Sequence, residues 1–275
     1  MHRFLSATPV RIAAGLLLSA HAAAGQQAPR PPASAAQMRP SAAWMVDSLP
    51  PVFAAPNGTL LRPGIATYDL TIARAEQVTS LGVRTVEVRE STLGGLPAWL
   101  IAESRTGSAV ATSDSLVVTR SELAPGRWTA VSGRAMLGGS FSHDTLFGAL
   151  QSYQGRTSFT LATGERAIVT AGMLERLLEM LPLGAGYRAS ASLVVVELGA
   201  PAVQPATMSV ERDELLTIGD RAIDCWVVTL RTAQGEQRLW VSKEMPRVVK
   251  TEQAFAAGVL TSMLRPPADS RTTAP

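Results

Sequence analysis

The chain has 275 residues, enough for one large domain or two small ones with a sizeable core. Hydrophobic residues make up 46% and charged residues only 17%, which excludes a disordered, highly charged chain. One cysteine excludes an intrachain disulfide framework and a cysteine-built metal cluster, and the formal charge is only +3.

Residues 1–24 read as a secretory signal peptide. Arg3 and Arg11 supply the charged start, residues 12–20 (IAAGLLLSA) the apolar middle, and Ala22 and Ala24 a small-residue site with cleavage near Ala24. The apolar run is too short to span a bilayer, and no later stretch is long enough, so no membrane span is expected after leader removal. No cysteine lies near the cleavage site, the only one being Cys225, so acylation there is not expected, and the expected location is the periplasm or outside the cell. Losing Arg3 and Arg11 leaves 23 basic against 22 acidic residues. The arginines are scattered and not interleaved with aromatics, so no nucleic-acid partner is expected.

Residues 25–59 read as a spacer followed by a docking arm. Pro29, Pro31, Pro32 and Pro40 block regular structure in the first part. The second, residues 44–53 (WMVDSLPPVF), carries enough apolar surface to dock irregularly on the domain. Asn57-Gly58 signals a turn.

Residues 60–264 read as one antiparallel β domain. Tyr68, Leu70 and Ile72 alternate on one face of a strand at 67–73, and 82–89 (GVRTVEVR) alternates in the same way. Further strands are expected at 96–103, 115–122, 127–136, 140–150 and 156–162, with Gly94-Gly95, Gly107, Pro125-Gly126, Gly138-Gly139 and Gly155 as turns between them. One helix interrupts the meander at 171–181. Leu174, Leu177, Leu178 and Leu181 form its apolar stripe beside Met173, and Glu175, Arg176 and Glu179 occupy an expected solvated face. Pro182 stops it. Strands resume at 188–198, 207–216, 221–231, 236–242 and 247–253, with a short one at 260–264. Residues 265–275 read as a disordered tail.

The fold class is therefore mainly β: a large curved antiparallel sheet or incomplete β-barrel with one central amphipathic helix. A single helix covers little of so large a sheet, so either the sheet curls on itself or a concave apolar face stays open.

The sequence contains no G-x-S-x-G elbow, phosphate loop, dinucleotide fingerprint or H-E-x-x-H. Ser142, His143 and Asp144 are adjacent on an expected strand, so they point to alternate faces and cannot act together. Glu211, Asp213 and Glu214 lack the spacing of a calcium loop. Cys225 lies in an apolar run and reads as buried and inert, with intermolecular pairing open only on an edge strand. No catalytic residue, metal or cofactor is expected, and the chain is read as a non-enzyme.

The second half resembles a known family. Residues 177–187 (LLEMLPLGAGY), 218–230 (IGDRAIDCWVVTL) and 238–250 (RLWVSKEMPRVVK) carry the Leu181-Pro182-Leu183-Gly184 step, a glycine-led apolar strand and a hairpin of Trp240-Val241-Ser242 with Arg247-Val248-Val249. These elements resemble the bacterial periplasmic domain of unknown function 3108, itself related to the lipoprotein-carrier (LolA/LolB-like) superfold. That resemblance implies an incomplete barrel around helical structure, with acyl chains held in the concavity of some members. It implies no catalytic residues. The expected function is binding of a lipid, an acyl chain of a lipoprotein or another apolar ligand on the concave face. The candidate ligand face is Met173, Leu174, Leu177, Leu178, Leu181, Trp226 and Trp240. The alternative is a structural or assembly factor that binds another envelope protein.

Overall fold

The computed structural model describes residues 50–107, 111–164, 166–197, 200–256 and 258–266, together with the backbone of a two-residue strand, β1 (Leu18–Ser19). Apart from β1, the leader and its cleavage site, the spacer, the first part of the arm and the tail after Pro266 lie outside the described residues.

Two antiparallel meanders make one long sheet. The first runs β2 (Gly64–Arg74), β3 (Gln77–Leu93), β4 (Leu96–Thr106), β5 (Thr112–Thr119), β6 (Pro125–Ser132), β7 (Ala135–Ser142), β8 (Thr145–Ser152) and β9 (Gly155–Ala162). The second runs β11 (Arg188–Glu197), β12 (Ala200–Ile218), β13 (Arg221–Thr232), β14 (Gly235–Ser242), β15 (Val248–Phe255) and β16 (Gly258–Leu264). They are joined where β16 pairs antiparallel with β2, Leu264 opposite Tyr68 and Val259 opposite Ala73. The last strand of the domain therefore lies beside the first long one. Between the meanders in sequence come β10 (Ala167–Ile168), parallel to β11, and the helix α1 (Ala171–Leu178). Among the described residues β9 and β11 do not hydrogen-bond to each other, so the sheet curls without closing.

The curl has local causes. Register shifts occur between Leu70 and Thr71, Val117 and Val118, Val210 and Arg212, and Trp240 and Val241, and such bulges bend and twist a sheet. On β7 and β8, Gly139 faces Gly148 in register. A Cβ on Gly148 would stand 2.5 Å from both the Gly138 carbonyl oxygen and the Phe159 ring, and one on Gly139 would stand 2.6 Å from the Leu146 side chain. Gly138-Gly139 is thus the middle of a strand rather than the turn expected from sequence. The turn is His143-Asp144, with His143 at φ 52°. Pro125-Gly126 likewise opens β6 instead of preceding it.

The helix lies in the concavity. Thr170 caps it by accepting a hydrogen bond from the Met173 N–H at 3.0 Å. Every residue from Gly172 to Leu178 is buried, because sheet surrounds the helix on more than one side. Tyr68, Val86, Val88, Trp99, Ile101, Leu116, Val118, Trp128, Leu137 and Leu146 point inward from β2–β8 and pack with Met173. Leu174, Leu177, Leu178 and Leu181 pack against Ala189, Leu193, Met208, Val228, Leu239 and Val248 from the second meander. A third cluster of Ile218, Cys225, Val227, Trp240 and Val249 occupies the opposite face of β13 and β14. Burial of both faces explains the unbroken apolar run of β13. This strand pairs on both sides, so Cys225 is not on an edge, and burial pushes its thiol up to about 11.

The described end of the arm docks on the sheet. Val52 bridges Ser190 of β11, the Ser190 N–H donates to the Pro51 carbonyl at 2.9 Å, and Phe53 enters the second cluster. Asn57 caps a 3-10 turn at Gly58–Leu60 by accepting from the Thr59 N–H, and the Gly58 carbonyl accepts from the Trp99 indole at 2.9 Å.

Gly148→Ala is expected to cost about 1–3 kcal/mol of unfolding free energy through overpacking. Gly138→Ala, which meets nothing within 4 Å, is expected to change it by less than about 0.5 kcal/mol. Urea denaturation of both variants checks this, and equal effects would refute the close-approach account.

Candidate ligand-binding cavity

A half-open cavity of about 670 Å³ lies past the C-terminal end of α1. Its size falls in the range of small-molecule sites. Three chain segments ring it: the β12–β13 hairpin tip with Ile218, Arg221 and Ile223, the β14–β15 turn from Ser242 to Val249, and the entry to β2 (Leu60, Leu61, Arg62) beside the end of β16 (Leu264, Arg265, Pro266). Met180, Glu179 and Arg176 reach it from the helix and the turn after it. The buried or half-buried lining is Leu61, Met180, Ile218, Ile223, Val249 and Leu264, with Arg176, Glu179 and Ser242 as its polar groups. The exposed lining is mixed: Arg62, Arg221, Arg247, Arg265 and Glu244 stand there with Leu60, Met245, Pro246 and Pro266.

Most of the leucine stripe expected to face a ligand is instead packed. Leu174, Leu178 and Leu181 are core residues that do not line this cavity, and neither do Met173 and Leu177. The last two border a separate cavity of about 80 Å³ with Phe53, Leu123, His143 and Thr163. Trp226 and Trp240 are each covered by one of the chain's two lysines. Lys243 lies 4.2 Å from the Trp226 ring centroid and Lys250 lies 4.3 Å from that of Trp240. Of the hairpin motif, Ser242, Arg247 and Val249 reach the cavity and Trp240 does not.

The expected solvated face of the helix is also corrected. Glu175 is 2% exposed, and its Oε1 accepts from Arg84 Nη1 at 2.6 Å. Arg84 Nη2 donates to Glu103 Oε2 at 2.8 Å, and Glu103 Oε1 accepts from both Nε and Nη2 of Arg105. Arg84 is in phase with Val86 and Val88, and Glu103 with Ile101, so both project inward with the apolar stripe of their strands. That phase was the available signal. Reading the helix alone missed it because its polar face has a partner only when the sheet wraps it.

The electrostatics follow from burial. Desolvation works against the Arg84 charge, but Glu103 and Glu175 outweigh it and hold the guanidinium protonated. Desolvation likewise opposes the Glu103 charge, and Arg84 and Arg105 hold that carboxyl well below its usual range. Asp114, opposite Glu103 in register, is pushed up to about 8 by burial and by the Glu103 charge. Glu179 is raised to about 7 by burial, against the pull of Arg176 at 2.8 Å and of the Val248 N–H, which donates to its Oε1 at 3.2 Å.

His143 is exposed in its turn and borders the smaller cavity with Glu122 and Thr163. The Thr163 hydroxyl is engaged, donating to the Asp144 carbonyl at 2.8 Å. No cluster of three or more metal-ligating side chains occurs among the described residues. No described helix is long and apolar enough to cross a membrane.

No family model matches the sequence, and no curated protein matches it. The chain is similar in fold to a solved β-barrel-like protein of domain of unknown function 1849 from Brucella abortus. That match has a TM-score of 0.51 and 14% identity, over 76% of this chain and 97% of the other. A hypothetical lipoprotein from Escherichia coli, YmcC, matches at a TM-score of 0.31 and 14% identity, over 75% of this chain and 88% of its own. The first likeness supports the curved, unclosed β architecture; at this identity it speaks to fold alone.

Two predictions follow from the charges. Arg84→Met should lower unfolding free energy by about 3–5 kcal/mol by stranding Glu103 and Glu175, and replacing all three groups with apolar ones should restore much of it. Denaturant titration of both variants checks this, and a harmless Arg84→Met would refute the network's role. Glu179 unfolded releases its proton near 4.5 and folded near 7. Between those values the folded chain holds more protons, so its contribution to stability is present below pH 4.5 and is lost as pH rises through 7. Asp114 acts in the same sense up to about 8. Glu179→Gln should therefore flatten the fall in melting temperature between pH 5 and 8, and an unchanged slope would contradict the assignment.

Proposed function

We propose that this chain is an exported, non-enzymatic protein of the cell envelope that binds a lipid, an acyl chain or another apolar ligand. The relation to the lipoprotein-carrier superfold belongs to this proposal. The observation that carries it is the cavity of about 670 Å³ at the end of the curled sheet, walled by Leu61, Met180, Ile218, Ile223, Val249 and Leu264. The proposed binding surface is this cavity, past the helix, because the leucine stripe is packed in the core. A long apolar chain gains roughly 0.8 kcal/mol for each methylene it buries, so a cavity of this size accounts for stable retention.

The alternative is an assembly factor that binds another envelope protein. One feature favours it: among the described residues β9 pairs only with β8, which leaves a strand edge for a partner.

Native mass spectrometry of the mature protein, with organic extraction of what it carries, tests the proposal. A bound fatty acid, phospholipid or acylated peptide is expected, and Ile223→Trp should expel it with little change in melting temperature. A bare mass that stays unchanged when lipids are offered would overturn the proposal and turn attention to the β9 edge.

A further inference from the structure

We propose that the ligand of this cavity is an amphiphile with an anionic head, seated chain-inward with the head at the arginine-lined mouth. The inference rests on the reading of the cavity as a lipid-type site and adds the charge and orientation of what it takes.

Three observations carry it. The first is the distribution of charge in the lining: the buried wall is mainly apolar, its Arg176 and Glu179 paired with each other, and the other charged side chains stand at the exposed rim among Leu60, Met245, Pro246 and Pro266. The second is the sign of that rim. Arg62, Arg221, Arg247 and Arg265 face a single rim carboxylate, Glu244. The third is how little of that charge is already spent. Arg265 is neutralised by Asp69 at 2.6 Å. Arg62 donates to a carbonyl, that of Thr59, and not to a carboxylate. Arg221 and Arg247 form no salt bridge among the described residues; Arg247 acts on Glu179 only through the field.

The deeper wall fits the same orientation. Arg176 is nine-tenths buried there and already paired with Glu179, and the Glu179 carboxyl is raised to about 7. The deep wall therefore offers no uncompensated charge to a head group of either sign, whereas at the mouth Arg221 and Arg247 form no salt bridge among the described residues. Guanidinium groups suit this task because their N–H forks match carboxylate and phosphate oxygens. A head group bound at the rim stays partly solvated, so it avoids the cost of burying an ion. Carboxylate and phosphate heads share the required chemistry.

Isothermal titration of the mature protein with dodecanoate, dodecyl phosphate, dodecanol and dodecyltrimethylammonium tests it. Both anions are expected to bind about tenfold or more tightly than dodecanol. The gap should narrow as salt is raised. The ratio between the two anions identifies which head is preferred, and a preference for either supports the inference. Arg221→Gln with Arg247→Gln should erase the preference of the protein for the anions over dodecanol; both residues are exposed, so the fold is not at stake. If dodecanol or the cationic amphiphile binds as well as the anions, the charge inference falls and the apolar cavity stands. If the double variant keeps the preference, the placement of the head at the mouth falls. If no probe binds, the lipid reading falls with it.

Discussion

The buried guanidinium of Arg84 fixes the centre of this molecule. Arg84 reaches inward from β3, holds Glu103 on the neighbouring strand and holds Glu175 on the helix. Its charge is tolerable only because both carboxylates are present, and theirs only because Arg84 and Arg105 answer them. The consequence is positional. A helix of eight residues with a greasy stripe could rotate or slide within a curved sheet. An ionic tie on its other face, Arg84 bridging Glu175 of the helix and Glu103 of the sheet, removes that freedom and sets which leucines meet the second meander. Such a tie adds little net stability over an apolar contact of equal volume. Its value here is in specifying one arrangement.

The cavity follows from that arrangement. With the helix held, its turn after Leu178 and the Pro182 stop leave the end of the concavity without a plug. The sheet supplies the surround: the β12–β13 hairpin tip, the β14–β15 turn and the β16–β2 seam all meet there. The seam means the site is made from both ends of the domain sequence. Leu61 and Arg62 precede the first long strand, and Leu264 and Arg265 end the last. Val248 and Val249 are adjacent on β15 and point to opposite faces, so they serve different clusters.

Much of the architecture was legible in the sequence. Tyr68, Leu70 and Ile72 alternate and are all buried, and the helix starts at Ala171 behind a capping threonine. The curled sheet with one helix follows from many strand signals and a single helical period. The glycines misled the reading for a physical reason. Gly138-Gly139 looks like a turn, but Gly139 and its partner Gly148 make room for a close strand approach, and that crowding depends on Leu146 and Phe159, which only pairing brings near. The site was less legible. An amphipathic helix shows which face is apolar; it does not show what the polar face meets. Glu175 and Glu179 were therefore placed in solvent, and the leucines were offered to a ligand. The signal that corrects this is the phase of Arg84 and Glu103 with inward apolar residues, and it acquires meaning only once both strands are known to face the helix. The cavity lining comes from segments up to two hundred residues apart in sequence, which no local pattern joins.

On the proposed reading, the bound apolar ligand sits at the end of the helix, under the β14–β15 turn. Photolabelling of the purified protein with a diazirine-bearing acyl chain, followed by peptide mass spectrometry, tests this placement. The account predicts adducts confined to the segments around Leu61, Met180, Ile223 and Met245. Adducts spread over the outer faces of β7 and β8, or found on β9 alone, would contradict it.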